Sequence, residues 1–267
     1  MAVRSAKSPS AKAKSTKETV WTLQAALDAL KRAGTKKHAD SMQRFGIGAV
    51  TTFGVPMAAI QKLGKAIGKD HGLAKELWAS GVYDARMLAS YVAEPEKVTS
   101  AEMDAWCDDF DNWAVCDTVC FALWDRVPFA WAKIDAWAKR DEEFVKRAAF
   151  ALLASVALHD RSDIDDKCAA ALGVCEKAAG DKRNFVKKGV SWAVRTIGSR
   201  NQVLHAKAIA SGKKLAKSSD ATERWIGNDV VRDLERPLVV KRVAAKSAKE
   251  KAVRQKALAK AAKAAKN

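Results

Sequence analysis

From Val20 to about Arg236, apolar residues return every three or four positions, as in WTLQAALDAL, MAAIQKLGKAI, RAAFALLASVAL and GVSWAVRTIG. That spacing lays an apolar stripe along one side of a helix, because a helical turn takes about 3.6 residues. Runs that alternate apolar and polar, the mark of a half-buried strand, do not occur in the sequence. The prolines fall between the helical runs: Pro56 after FGV, Pro95 in EPEK, Pro128 in RVPF and Pro237 after the last run. Proline has no N–H to give to a helix interior, so these positions read as boundaries. The body is therefore predicted to be all-α. Asp108, Asp109 and Asp111 are expected to favour the helix N-terminus that follows them, where the helix dipole welcomes negative charge.

The helical pattern also repeats. EEFVKRAAFALLAS, at 142–155, returns 41 residues later as RNFVKKGVSWAVRT, at 183–196. Repeats of this period occur in HEAT and armadillo arrays, where stacked helix pairs bury one continuous core. One frame runs through weaker copies, an aromatic followed three residues later by a large side chain. The pairs are Tyr83 and Arg86, Phe110 and Trp113, Phe144 and Arg147, Phe185 and Lys188, with Arg224 of ATERW continuing the series. The predicted architecture is a HEAT-like helical-repeat superhelix, an α-solenoid, whose concave groove is lined by the basic column Arg86, Arg147, Lys188 and Arg224. A column of cations on successive inner helices suits a phosphate backbone.

Two positions of the frame depart from the column. Trp113 stands where its neighbours carry a base, and one turn later Asp117 and Trp192 stand where other copies have Ser90 and Ala151. Arg195 follows Trp192 where the neighbouring copies have Ala154 and Cys120. Trp113, Asp117, Trp192 and Arg195 thus share one stripe on different helices. The remaining tryptophans, Trp21, Trp78, Trp106, Trp124, Trp131, Trp137 and Trp225, are read as packing.

Charge changes the picture at the ends of the chain. The net charge is +17 over 267 residues, but 1–17 carry +5 and 241–267 carry +9, leaving +3 for 18–240. The expected organisation is a basic N-terminal tail at 1–17, a repeat domain at 18–240, and a basic Ala/Lys-rich tail at 241–267, disordered or a frayed helix. Such tails attract polyanions, and nucleic acid is the favoured partner. The start of the chain has no apolar segment of a secretory signal, although its Ser-rich, acid-free character also allows an organelle transit peptide. No apolar run reaches membrane-spanning length, so no membrane partner is expected. Five cysteines without a C-x-x-C pair and four scattered histidines imply a reducing compartment and no structural metal. A monomeric, cytoplasmic, nucleoid-associated protein is expected.

A carboxylate inside a phosphate-binding groove opposes binding, so Asp117 is better explained by chemistry. Cleavage of an N-glycosidic bond fits, because the sugar becomes oxocarbenium-like and a carboxylate stabilises that charge or positions water. Indole faces attract cations, and a purine alkylated on a ring nitrogen is a cation. Trp113 and Trp192 would select it, while Arg147, Lys188 and Arg195 hold phosphates.

With these residues in place, the body resembles the AlkD-like DNA alkylation-repair glycosylases over roughly residues 20–240. The likeness rests on MQRFGIG and FGVP, LWASGVYDARMLAS, FDNWAVCD, EEFVKRAAFALLA and RNFVKKGVSWAVRTIG. The resemblance implies excision of cationic N3- and N7-alkylpurines from duplex DNA without metal or cofactor. By the same likeness, Asp117, Trp113 and Trp192 are the expected catalytic residues and Arg147 and Arg195 contact DNA; with Arg86 and Lys188 of the basic column, and Arg44 and Phe45, these make up the expected DNA-binding set. Two positions depart from the family pattern: Phe45 replaces a common tyrosine, and Ala114 a common acidic residue. The alternative expectation is a non-enzymatic HEAT-like module that binds DNA structures or a protein partner.

Overall fold

The computed structural model describes residues 20–48 and 51–264. The expected N-terminal tail at 1–17 lies outside the described residues. Fourteen α-helices are formed among them: α1 (Leu23–Ala33), α2 (Lys36–Met42), α3 (Met57–Ile67), α4 (His71–Ala79), α5 (Tyr83–Val92), α6 (Ser100–Asp108) and α7 (Trp113–Ala122). They continue with α8 (Ala130–Trp137), α9 (Glu143–His159), α10 (Asp165–Ala178), α11 (Asn184–Gly198), α12 (Gln202–Leu215), α13 (Ala221–Leu234) and α14 (Pro237–Ala264). Short 3-10 turns occupy Gln43–Phe45, Pro95–Lys97 and Trp124–Arg126. No strand forms among the described residues. The all-α, HEAT-like reading of the sequence agrees with this architecture.

The helices start where side chains satisfy their first free N–H groups. Thr22 caps α1, Asp70 caps α4, Thr99 caps α6, Asn201 caps α12 and Asp220 caps α13. The N-cap of α7 is Asn112, whose Oδ1 accepts from Ala114 and Val115 at 3.0 Å each. The three aspartates expected to serve that terminus are used elsewhere. Asp109 accepts from the Trp78 indole, Asp108 pairs with Arg140, and Asp111 accepts from the Asn112 amide.

Alternate helices stack in sequence. An inner row runs α3, α5, α7, α9, α11, α13, and of these α5, α9, α11 and α13 also pack on helices of an outer row made by α4, α8, α10 and α12. At the centre lies α9, buried from Ala148 through Ala157 because small residues alternate with Phe150, Leu152 and Leu153. Close approach of α13 to the end of α12 leaves no room for a side chain, since a Cβ on Gly227 would stand 2.2 Å from the Ala216 nitrogen. Only glycine fits there.

Trp78 and Trp106 stack in parallel at 4.1 Å, and Trp124 and Trp137 are fully buried. Trp21 and Trp131 pack against the core from its edge. Trp225 differs from its packing assignment: it is 39% exposed beneath the Lys187 ammonium, 4.9 Å from the ring.

The loop before α5 is fixed by a buried carboxylate. Asp84 is fully buried and accepts from Thr52 Oγ1 at 2.8 Å, Phe53 N at 2.6 Å and Val55 N at 2.9 Å. Three donors compensate its burial and hold the 52–55 segment against α5. At the other end of the chain, Pro237 opens a helix rather than following the last one, which suits proline because N1 needs no donor. The first part of α14 is anchored by buried Val243 and by Ser247, whose Oγ accepts from Gln202 N at 2.9 Å.

Candidate active site

The site is built on three successive inner helices. On α7, Trp113 and Asp117 are one turn apart and share a face, as do Phe121 and Asp117. From α9, Arg147 meets Asp117 in a two-point pair, with Nε to Oδ1 at 2.9 Å and Nη2 to Oδ2 at 2.7 Å. The third arm of the guanidinium, Nη1, donates to the Phe185 carbonyl at the start of α11 at 2.7 Å. One arginine thereby ties α7, α9 and α11 together beneath the carboxylate. Arg147's side chain is 8% exposed and that of Asp117 is 18% exposed. Burial pushes the Asp117 carboxyl above the ordinary range for aspartate, and the Arg147 pair pulls in the opposite direction.

Asp117 and Thr118 form a wall shared by two cavities. On one side a cavity of about 280 Å³ is bounded by Tyr91, Phe121, Ala122 and Trp192. On the other an apolar cavity of about 340 Å³ runs beneath Trp113 to Phe45, Met42, Ile60 and Met87. Trp192 lies flat on Phe121, with centroids 4.8 Å apart and planes within 5°. Trp113 is held differently, its indole N–H donating to the Phe45 carbonyl at 2.8 Å. The backbone of Phe45 thus closes one cavity while its ring is 65% exposed. An ionised carboxylate has about four acceptor sites. Arg147 occupies one on each oxygen, which leaves the others for groups entering the cavities.

The residues expected to bind DNA divide by environment. Lys188 and Arg44 are exposed. Arg86 lies over the Trp78 ring at 5.3 Å and donates to the Asp109 carbonyl. Arg195 leans towards Asp229 and Asp233 of α13, at 3.6 and 3.8 Å. Arg224, the last of the basic column, donates to the carbonyls of Ser218 and Ser219. The structure therefore brings Trp113, Asp117, Trp192 and Arg147 to one locus, and leaves Lys188 and Arg44 facing outward away from internal partners. Phe121, Thr118 and Tyr91 complete the locus without having been singled out in the sequence. Phe121 could have been found as the residue one turn beyond Asp117; Tyr91 comes from a separate helix, and spacing gives no sign of it. Among the described residues no group of three or more His, Cys, Asp or Glu is placed to hold a metal ion, and no helix is long and apolar enough to cross a membrane.

The family model described as "DNA alkylation repair enzyme" matches residues 26–225, which includes every one of these site residues. The chain belongs to the DNA alkylation repair enzyme family. No curated protein matches the sequence. Among solved structures, a member of a family related to the HEAT-like repeat DNA glycosylases, with affinity for branched DNA structures, overlays with a TM-score of 0.67. It is 19% identical, and the match covers 79% of this chain and 95% of that one. At that identity the likeness concerns the fold. An engineered protein and a designed armadillo repeat protein, each 14% identical, cover 80% of this chain and 91% and 93% of their own, with TM-scores of 0.40 and 0.33. They are too distant in shape to inform the site.

Proposed function

We propose that this chain is a DNA glycosylase that hydrolyses the N-glycosidic bond of cationic N3- and N7-alkylated purines in duplex DNA. The observation that carries the reading is a carboxylate, Asp117, held by a buried arginine at the wall between two cavities, each with an indole in its lining. Arg147 fixes the direction of the carboxylate and favours its ionised form. The free lone pairs of Asp117 then face the deoxyribose, stabilising positive charge at its anomeric carbon or orienting the attacking water. The Trp192 face, stiffened by Phe121, supplies a surface that favours a cationic base over a neutral one. Loss of the base neutralises the purine, so the leaving group departs with the glycosidic electron pair and needs no added proton. Lys188, Arg44 and Arg195 are assigned to the DNA backbone, and the protein is taken to act as a cytoplasmic, nucleoid-associated monomer.

The decisive experiment is Asp117→Asn, assayed for release of 7-methylguanine from methylated duplex. Release is expected to be abolished while duplex affinity stays equal or rises slightly, since a repulsive charge is removed. Unchanged release would refute the role of Asp117. The second reading is a non-enzymatic module for DNA structures, favoured by the branched-DNA affinity of the structural relative. It predicts that wild type releases no base and binds a four-way junction more tightly than a duplex.

A further inference from the structure

The α7/α9 seam carries a second acid–base pair beyond the one at Asp117. On the α7 side, Asp117, Phe121 and Asp125 follow one another at four-residue steps, the last in the Trp124–Arg126 turn. On α9 the same stripe runs Arg147, Ala151, Ser155, His159. Arg147 and His159 are about 18 Å apart along α9, at about 1.5 Å per residue. At this far end His159 Nδ1 lies 2.5 Å from Asp125 Oδ2, and Ser155 Oγ donates to that oxygen at 2.7 Å. This is not a nucleophilic triad, because the Ser155 hydroxyl is buried and donates to the acid, with the imidazole Nδ1 farther off at 3.5 Å.

The geometry settles which way the ring faces. An ionised carboxylate has no proton to donate, so Nδ1 carries one and Nε2 points away from Asp125. Asp125 is 2% exposed and its Oδ1 is buried without a hydrogen-bond partner, with Arg126 Nε standing 3.7 Å away. The imidazole is 47% exposed and opens on a cleft of about 520 Å³ lined by Arg126, Pro128, Trp131 and Arg161. Arg161 also lines the adjoining recess beside Arg200 and Lys246. It makes no ion pair or hydrogen bond among the described residues. Asp160, the other acid of the cleft, has one oxygen occupied by the Ser162 amide and hydroxyl. From α7 only Phe121 faces the ring, edge-on at 5.4 Å, and its face carries Trp192. Lys167 of α10 lies over Trp131.

We infer that His159, oriented by Asp125, forms with Arg161 an anion site that holds a backbone phosphate of the DNA strand engaged at Asp117. The ligand is a phosphodiester, because the site sets a charge-assisted N–H and a guanidinium together at the mouth of the cleft, the donor pair that phosphate oxygens take. With both ring nitrogens protonated, Nε2 donates into the cleft. Asp125 and Arg126 from the turn and Asp160 and Arg161 from the following loop are the charges that face it.

The inference rests on the reading of the chain as a DNA-binding protein, and one titration separates the two. Anisotropy with an undamaged duplex is measured for wild type, His159→Gln and the double variant His159→Gln/Arg161→Ala, across a salt series and at about pH 6 and about pH 8. The double variant is expected to bind about three- to tenfold more weakly, with a salt slope shallower by roughly one. Wild type is expected to tighten on acidification, and His159→Gln to lose part of that gain. Equal urea midpoints for the three proteins are expected to show that the fold is kept. Identical affinity, slope and pH response in wild type and double variant would overturn the site while leaving the DNA reading intact. A wild type that binds no duplex would overturn both.

Discussion

Asp117 and Arg147 face each other across the α7/α9 seam in a two-point pair, and the arginine's remaining arm is anchored on the Phe185 carbonyl. Arg147 stands in the basic column that the sequence assigns to phosphate, but its guanidinium is turned onto the carboxylate. A pair of this geometry is the stronger kind of hydrogen bond and fixes direction as well as charge. Its consequence for chemistry is a test of protonation. Burial raises the Asp117 carboxyl and Arg147 opposes that rise.

Arg147→Met removes the opposing charge, so burial acts alone and Asp117 holds its proton to higher pH. The proposed reaction needs the ionised form, and the acid limb of the pH–rate profile for 7-methylguanine release is expected to move upward. Stability follows the same sign. A carboxyl raised on folding adds stability at low pH that is lost as pH climbs through its folded value. The variant is therefore expected to lose about 3–5 kcal/mol near neutral pH, as when one partner leaves a buried pair, and to regain part of it on acidification. Urea midpoints across pH, with Arg147→Met/Asp117→Asn as the second arm of a mutant cycle, check this. An acid limb that stays in place would show that Arg147 does not govern the ionisation of Asp117.

Trp192 lies on Phe121 with its other surroundings open to the cavity beside Asp117. An indole so placed is stiff enough to receive a cation without first being ordered. Trp192→Leu keeps apolar bulk but removes the quadrupole, and cation–π attraction of about 0.5–2 kcal/mol predicts a loss of about two- to thirtyfold in single-turnover release. Trp192→Phe is expected to retain most of the rate, and affinity for undamaged duplex to change little in both. If Trp192→Leu matched wild type, the ring would be serving packing alone.

How far the sequence reveals this site follows from what spacing can encode. Asp117 and Trp192 are legible because they break a repeat, and a break in a repeat is visible along the chain. The helical class is legible for the same reason, since periodicity is local. Partner choice is not local. That Arg147 meets Asp117, and that Arg86 meets Asp109 and Trp78, depends on the register between neighbouring helices. The frame predicts a shared stripe but not which pair across a seam comes within hydrogen-bond reach. Asn112 illustrates the same limit at a terminus: three aspartates precede α7, yet the cap went to the residue whose extended backbone points its oxygen at the first free amides. The end of the chain shows the same limit in another form. Ala/Lys composition cannot build a core, but α14 borrows one from α12 and α13 through Val243.

That division of α14 gives the last prediction. Up to Ser247 the helix is anchored, by Val243, by the Ser247 hydroxyl, and by Lys246 Nζ donating to the Ser199 carbonyl at 2.9 Å. From 248 to 267 the sequence holds seven Lys or Arg and one Glu. Ending the chain after Ser247 is expected to leave the urea midpoint nearly unchanged, because no buried side chain among the described residues is lost. Ending it before Lys241 also removes Val243, and should lower stability by about 2 kcal/mol further, as for exposure of one buried aliphatic contact. Both truncations should weaken binding to undamaged duplex and flatten its salt dependence, since each cation that releases a counterion adds to the slope. A salt slope unchanged by the shorter truncation would show that residues beyond 247 do not reach phosphate. Equal stability of the two truncations would show that Val243 is dispensable to the seam it fills.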